Sequence, residues 1–268
     1  MSEPRFGLIV VGDEILSGKR ADKHFTAVVE LLKARGLRLR WARFLPDERD
    51  AIAGVLRTTF ATSDVVMCCG GIGATPDDHT RQAAAQALEV ELRLHPDAAR
   101  FIALRCAEMA AEGRGTADMT TPENLQRLKM GEFPDGASII PNPYNKIPGF
   151  SIGHHWFVPG FPVMAWPMIE WVLDTRYLEH FNAGDLLERS MLVFDTPESA
   201  VAPLMEEVEA RFDAVKLFSL PSIGDGSDGR PARRHIELGV KGPAVAVEQA
   251  FDALLIGVRR MGAPIELP

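Results

Sequence analysis

The fold of this chain is decided by one stretch of sequence, Val65-Val66-Met67-Cys68-Cys69-Gly70-Gly71-Ile72-Gly73-Ala74-Thr75-Pro76-Asp77-Asp78-His79-Thr80-Arg81-Gln82. Five apolar residues lead into a glycine-rich segment, and Thr-Pro-Asp-Asp then precedes an alanine-rich helical pattern. The stretch predicts a buried strand, a tight loop and the N-terminus of a helix. Glycines let a backbone approach a ligand closely, and the N–H groups and dipole at a helix start favour an anion. We therefore predict a phosphate-binding loop.

Two carboxylates beside this loop complicate that interpretation. Asp77 and Asp78 stand where a phosphate would bind, and they would repel it. One hypothesis is that a hard cation such as Mg²⁺ bridges the carboxylate and phosphate oxygens. The alternative is helix capping, in which Thr75 or Asp77 is the N-cap and Asp78 favours the first turn. The sequence alone leaves both interpretations open.

The loop differs from two common phosphate-binding motifs. It lacks the Lys-Ser/Thr ending of a P-loop, which argues against ordinary ATPase chemistry. Pro76 stands where the third glycine of G-x-G-x-x-G would be required after Gly71 and Gly73. A Rossmann dinucleotide site is therefore not indicated.

Strand and helix patterns alternate along the first 90 residues. Residues 6–11 form a short apolar run, and residues 25–32 carry apolar side chains at helical spacing. This alternation predicts an α/β domain whose mostly parallel sheet is covered by helices on both faces. Ligands of such sheets bind beyond the carboxyl ends of the strands. The segments 12–14 and 70–73 each follow a predicted strand, so both should open onto that edge.

A change in composition near residues 182–184 predicts a boundary between two domains. We expect the first domain to cover residues 1–182. Residues 186–268 show a β-α-β-β-α pattern, which predicts a small ferredoxin-like α+β domain.

Composition excludes several classes of protein. The 268 residues carry a net charge of −8, whereas nucleic-acid binders usually present a basic face. No apolar stretch is long enough to span a membrane, and the first residues show no signal-peptide pattern. Three cysteines, two of them adjacent, form no disulfide framework. We expect a cytoplasmic protein with neither nucleic acid nor membrane as a partner.

Four motifs in order resemble a known family. They are residues 10–18 (VVGDEILSG), residues 70–80 (GGIGATPDDHT), residues 141–143 with 147–150 (PNP and IPGF), and residues 158–162 (VPGFP). This set is similar to the molybdopterin-binding domain shared by the MoaB, Mog and gephyrin G-domain proteins of molybdenum-cofactor biosynthesis. The closest resemblance is to the N-terminal part of the CinA family.

The resemblance implies a three-layer α/β domain that binds a phosphorylated pterin, molybdopterin, or a nucleotide-like ligand. The residues implied to hold the ligand are Gly12, Gly70, Gly71, Gly73, Thr75, Thr80, Pro148, Gly149, Pro159 and Gly160. In the CinA branch a small domain similar to residues 186–268 follows the first domain. Because relatives with this fold commonly self-associate, a homo-oligomer is also expected.

The resemblance further implies a possible chemistry, the Mg²⁺- or Co²⁺-dependent cleavage of a pyrophosphate such as ADP-ribose. Asp77 and Asp78 would hold the cation, and Asp78 would be its ligand or a general base. Asp13 and Glu14 follow a predicted strand, and on an extended backbone they point to opposite sides. Mog-type proteins match Asp13, so Asp13 is the one expected to face the pocket and act with Asp78. A structural turn role for Asp13 is the alternative.

Three residues depart from the family pattern. Asp13 replaces a threonine of the CinA branch, Ala74 replaces a proline, and Phe161 replaces a proline or asparagine. Each would line the pocket. These changes keep a third hypothesis open, a ligand-binding module without catalysis.

Overall fold

The structure, a computed structural model, describes residues 4–182, 186–224 and 233–267. The chain divides into two compact units, Met1–Phe181 and Asn182–Pro268. Among the helices in these described ranges, none combines the length and apolar character needed to cross a membrane.

The first unit is built around a six-stranded sheet. Its six strands are β1 (Phe6–Val11), β2 (Leu39–Leu45), β3 (Val65–Cys69), β6 (Ser138–Ile140), β7 (Gly149–Ile152) and β8 (His155–Val158). Two short strands, β4 (Leu92–Leu94) and β5 (Glu132–Pro134), pair with each other in a separate sheet. The order across the sheet is β2-β1-β3-β8-β7-β6. The first four strands run parallel, while β7 and β6 are antiparallel to their neighbours.

The register of the parallel strands aligns their carboxyl ends. Val11 pairs with Leu45, Val10 with Cys69, and Cys69 with Val158. Every residue of β1 and β3 is buried, as expected for strands covered on both faces. The loops that follow β1, β2, β3 and β8 therefore open onto one edge of the sheet.

Helices cover both faces of this sheet. They are α1 (Asp13–Leu16), α2 (His24–Lys33), α3 (Arg49–Phe60), α4 (Thr80–Leu88), α5 (Pro96–Ala111), α6 (Pro122–Leu128) and α7 (Pro162–Arg176). Val28 of α2 and Met168 of α7 belong to one buried apolar cluster. Leu56 of α3 and Ala84 of α4 belong to a second. The predicted three-layer α/β domain with a mostly parallel sheet is confirmed.

The second unit is an α+β domain. Its elements are β9 (Leu186–Phe194), α8 (Glu198–Arg211), β10 (Lys216–Ser222), β11 (His235–Pro243), α9 (Ala244–Arg260) and β12 (Ile265–Glu266). The sheet has the order β10-β11-β9-β12 with antiparallel pairing, and α8 and α9 pack into one apolar cluster with it. This β-α-β-β-α-β arrangement is ferredoxin-like, as predicted.

Candidate functional site

The glycine-rich loop after β3 adopts a conformation that needs glycine. Gly70 has φ 105° and Gly71 has φ 67°, which L side chains rarely adopt. A Cβ at Gly70 would lie 2.3 Å from the carbonyl oxygen of Val11, and one at Gly71 would lie 2.3 Å from Thr80 Oγ1. The two glycines let the loop turn sharply while it stays in contact with β1 and the start of α4.

Three carbonyl groups of this loop are held from one side by the first residues of α4. Thr80 Oγ1 donates to the carbonyl oxygen of Gly70 at 2.9 Å, and the Thr80 N–H donates to that of Gly71 at 2.9 Å. Arg81 Nη2 donates to the carbonyl oxygen of Gly73 at 2.6 Å. A trans peptide is planar, with its N–H opposite its C=O. The N–H groups that follow these three carbonyls therefore point away from α4.

The main-chain N–H groups of four successive residues are available to a ligand. Within the described ranges these groups have no hydrogen-bond acceptor, and they belong to Gly71, Ile72, Gly73 and Ala74. All four residues line a cavity of about 760 Å³. Successive unpaired amides of this kind form an anion-binding concavity. We call residues 71–74 the amide cradle.

Arg81 lies beneath the amide cradle, and sequence reasoning missed it. Only 2% of its surface is exposed, and its guanidinium donates to the carbonyl oxygens of Gly73, Lys129 and Glu132. Burial lowers the pKa of Arg81, and the charges of Glu132 and Asp78 act in the opposite direction. An arginine stays protonated in proteins, so a positive charge is fixed behind the loop.

Asp78 stabilises the far end of the loop. Its Oδ2 accepts hydrogen bonds from the Thr75 N–H at 2.8 Å and from the Thr75 hydroxyl. Helix α4 begins only at Thr80, and the N-cap residue His79 makes no side-chain capping bond. The alternative interpretation, in which Thr75 or Asp77 is the N-cap of this helix, is therefore wrong. Asp78 instead closes a local turn before the helix.

The cavity is lined by the loops at the carboxyl edge of the sheet together with residues from 130 and 142–164. Its acidic lining residues are Glu14, Asp47, Asp77 and Asp78. Its basic lining residues are Arg20, Lys23 and His24. The apolar lining includes Met130, Ile147, Pro148, Phe161 and Met164. Such a mixed surface suits a ligand with both an anionic and an apolar portion.

A family model described as "Probable molybdopterin binding domain" matches residues 7–180. The chain belongs to this molybdopterin-binding domain family. The predicted resemblance is thereby confirmed, and the amide cradle and its cavity lie within the matched residues.

Relatives with CinA-like names extend the match. A CinA-like protein of Anaeromyxobacter sp. (strain Fw109-5) is 31% identical over 278 residues, covering 96% of this chain and 64% of the relative. A CinA-like protein of Citrifermentans bemidjiense is 32% identical over 206 residues, covering 75% of this chain and 47% of the relative. The chain thus spans about half to two-thirds of the length of these two relatives.

A solved structure is similar to a large part of this chain. The protein CinA of Thermoplasma acidophilum, whose function is described as unknown, is 27% identical with a TM-score of 0.54. The match covers 63% of this chain and 97% of that chain.

Most residues that the family resemblance implied for the site do line the cavity. They are Gly12, Gly70, Gly71, Gly73, Thr75, Asp77, Asp78, Pro148, Pro159 and Gly160. Three predicted residues are absent from its lining: Asp13, Thr80 and Gly149. Thr80 is fully buried and holds the loop from behind. Gly149 is buried in β7, where a Cβ would lie 2.3 Å from the carbonyl oxygen of Phe157.

The prediction that Asp13, not Glu14, faces the cavity is wrong. The backbone after β1 is a helical turn, α1, so the extended geometry assumed for these residues does not exist. Asp13 Oδ1 accepts the Asp47 N–H at 3.3 Å, and the Asp13 N–H donates to Asp47 Oδ2 at 2.9 Å. Asp13 thus takes the structural turn role, and Glu14 lines the cavity.

Carboxylates from three loops influence one another in this site. Burial raises the pKa of Asp47, and the negative charges of Asp13, Glu14 and Asp77 raise it further. The hydrogen bond from the Asp13 N–H opposes these effects. These carboxylates therefore repel an anionic ligand and weaken its binding in this cavity.

Gln126 supports the loop from α6. Its Nε2 donates to the carbonyl oxygen of Ala74, so it holds the last residue of the amide cradle. Asn124, in contrast, donates to the carbonyl oxygens of Thr116 and Asp118. It orders the segment before α6 and does not line the cavity.

Proposed function

We propose that this protein binds a phosphorylated pterin such as molybdopterin, or a nucleotide-like ligand, with the anionic group on the amide cradle. The single observation that carries the proposal is the set of four main-chain N–H groups at residues 71–74, which have no acceptor among the described residues and belong to residues that line the cavity. The family of residues 7–180 supports the choice of ligand class.

Charges of both signs set the electrostatics of the proposed complex. Arg81 stands behind the cradle and attracts an anion, while Asp77 and Asp78 repel it. Helix α4 adds the positive end of its dipole at Thr80. The acidic residues make a divalent cation useful, because it would offset their charge against that of the ligand.

The carboxylates among the described residues suit a cation that is held partly by the ligand's phosphate groups. In residues 4–182, 186–224 and 233–267, no three carboxylate, imidazole or thiol groups converge to hold a metal ion. Magnesium is commonly held by one or two carboxylates together with substrate phosphates. Asp77 and Asp78 are the residues that would hold it, and the bound ion would neutralise phosphate charge.

Calorimetric titration of the purified protein with molybdopterin and with ADP-ribose tests the proposal. Each titration is done with Mg²⁺ and with EDTA. We expect saturable binding of at least one of the two ligands, tighter with Mg²⁺. No binding of either ligand under either condition would reject the proposal.

A second candidate function is Mg²⁺- or Co²⁺-dependent hydrolysis of a pyrophosphate bond. The observation that favours it is the group of acidic side chains at Glu14, Asp47, Asp77 and Asp78 around the cradle. Asp78 is proposed to position the cation or to accept a proton from water. Asp13 is a weaker candidate because its carboxylate accepts the Asp47 N–H.

Release of AMP from ADP-ribose measures this activity directly. We expect Asp78→Asn to slow the release while ADP-ribose still binds, because an asparagine oxygen can still accept the Thr75 N–H. If the unaltered protein binds ADP-ribose but releases no AMP, the hydrolytic function is rejected and the protein is a non-catalytic binding module.

Asp47→Asn should tighten the binding of ADP-ribose in EDTA by about threefold to tenfold. The change removes one negative charge from the cavity wall. In water, two unit charges about 4 Å apart interact by about 1 kcal/mol, and we expect a gain in binding free energy of this order. An asparagine oxygen can still accept the Asp13 N–H. Calorimetric titration checks the affinity, and Glu48→Gln is the control because Glu48 does not line the cavity.

The same variant has a predicted pH dependence. The pKa of Asp47 is raised, so as pH falls this carboxylate takes up its proton before an ordinary aspartate does. Binding by the unaltered protein should therefore tighten below neutral pH more than binding by Asp47→Asn. Parallel pH profiles of the two proteins would contradict this assignment.

A further inference from the structure

Phe161 presents an aromatic ring to the cavity. It is 60% exposed and lies between Gly160 and the first turn of α7. Its side chain lines the cavity that contains the amide cradle. An exposed aromatic in a ligand cavity gains free energy only when a ligand covers it.

The backbone around Phe161 is held in place. Its carbonyl oxygen accepts the N–H groups of Met164 and Ala165, both at 2.9 Å, as the N-cap of α7. Pro162 fixes φ at the first helical position. His24 Nε2 lies 2.9 Å from the carbonyl oxygen of Gly160. These contacts fix the point from which the ring projects.

This point is close to the amide cradle. The Gly70 N–H donates to the carbonyl oxygen of Val158 at 3.0 Å. A Cβ at Gly160 would lie 3.4 Å from Gly70 Cα. Phe161 is therefore one residue away from a backbone segment that packs against the first glycine of the loop.

The cavity that Phe161 lines also has apolar residues in its wall. Met130, Ile147, Pro148 and Met164 line the same cavity. Asn142 is buried there, but its amide group already bonds to Asn145 and to the carbonyl oxygen of Ile147. These apolar residues suit a flat apolar group, whereas the cradle suits an anion.

We propose that Phe161 stacks on the planar heterocycle of the ligand while the amide cradle holds its anionic group. This inference rests on the proposed function and narrows the ligand to an anion joined to an aromatic ring system. Phe161 is then the residue that distinguishes ring-bearing ligands from anions of similar charge that lack a ring.

Three probes test the proposal by calorimetric titration: ADP-ribose, molybdopterin and inorganic pyrophosphate. Phe161→Ala should weaken the binding of the ring-bearing ligand by roughly tenfold, the effect of losing one base stacked on an aromatic side chain. The affinity of Phe161→Ala for pyrophosphate should equal that of the unaltered protein. Phe161→Trp should retain tight binding of the ring-bearing ligand.

Phe25→Ala is the matched control, since Phe25 is 43% exposed in the same unit and does not line the cavity. It should change none of the affinities. Unchanged affinity of Phe161→Ala for the ring-bearing ligand would overturn the stacking role and leave the proposed function intact. Equal weakening for pyrophosphate would also overturn it. Failure of the unaltered protein to bind either ring-bearing ligand would overturn both.

Discussion

Gly71→Ala should weaken binding of molybdopterin or ADP-ribose by at least about 100-fold. Gly71 has φ 67°, and its new Cβ would lie 2.3 Å from Thr80 Oγ1. The left-handed conformation alone costs an L residue about 1–2 kcal/mol. Thr80 must also move, although its hydroxyl and N–H hold two loop carbonyls. Each lost hydrogen bond costs about 1 kcal/mol, so the loop is expected to abandon the cradle geometry.

Gly153→Ala is a matched control for this prediction. Gly153 has φ 58°, but a Cβ there would meet no atom within 4 Å. It lies in the turn between β7 and β8, away from the cavity lining. The control therefore carries the same backbone strain without the clash. Circular dichroism should show both variants folded, and only Gly71→Ala should lose the ligand in calorimetry. Ligand affinity unchanged in Gly71→Ala would contradict the cradle.

The cradle could be predicted because its signal is local in sequence. Five apolar residues followed by Gly70 and Gly71 require a buried strand and a sharp turn, whatever the rest of the chain does. The position at the carboxyl edge follows from the alternation of strands and helices. The family resemblance added Pro148 and Pro159, which lie far away in sequence but line the same cavity.

The roles of Asp13 and Arg81 were predicted wrongly or missed because they depend on contacts that the sequence pattern does not show. Asp13 was expected on an extended backbone, but its reciprocal hydrogen bonds with Asp47, 34 residues away, accompany a helical turn. Arg81 occupies the second position of an alanine-rich helix, where an arginine is usually solvated. Its burial becomes visible only when α4 packs near residues 129–132.

The role of Phe161 shows a different limit of prediction from sequence. The sequence marked it as a departure from the family pattern and as a pocket residue, and the structure places it in the cavity wall. The position of its backbone follows from the N-cap geometry of α7 and from the packing of Gly160 on Gly70. Such geometry combines two loops, so a single motif could not specify it.

The first unit should lose about 3 kcal/mol of unfolding free energy between pH 7 and pH 4 because of His155 alone. Burial lowers the pKa of His155 to about 4, with a smaller effect from His154 in the same direction and an opposing one from Asp64. An unperturbed histidine, as expected in the unfolded chain, has a pKa of 6.5. The unfolded state therefore binds more protons between these values, and stability falls as pH drops through that window.

The contacts of His155 explain why it resists protonation. The Thr59 hydroxyl donates to the carbonyl oxygen of Leu56 at 3.1 Å, so it accepts from His155 Nε2 at 2.7 Å. His155 Nδ1 is buried and has no partner among the described residues. The ring lies against Phe60, with centroids 4.0 Å apart and ring planes tilted by 36°. A proton on Nδ1 would bury an unpaired charged donor beside an aromatic ring.

Urea unfolding of the unaltered protein and of His155→Phe, at several values between pH 7 and pH 4, measures this effect. Tryptophan fluorescence reports on the first unit, because Trp41, Trp156, Trp166 and Trp171 all lie in it. His155→Phe should lack the loss of about 3 kcal/mol, which corresponds to the difference between the two pKa values at 1.36 kcal/mol per unit. His154→Gln is the control and should keep most of the loss, since burial is the larger cause. An equal fall in the stability of His155→Phe would show that His155 does not limit the acid stability of this unit.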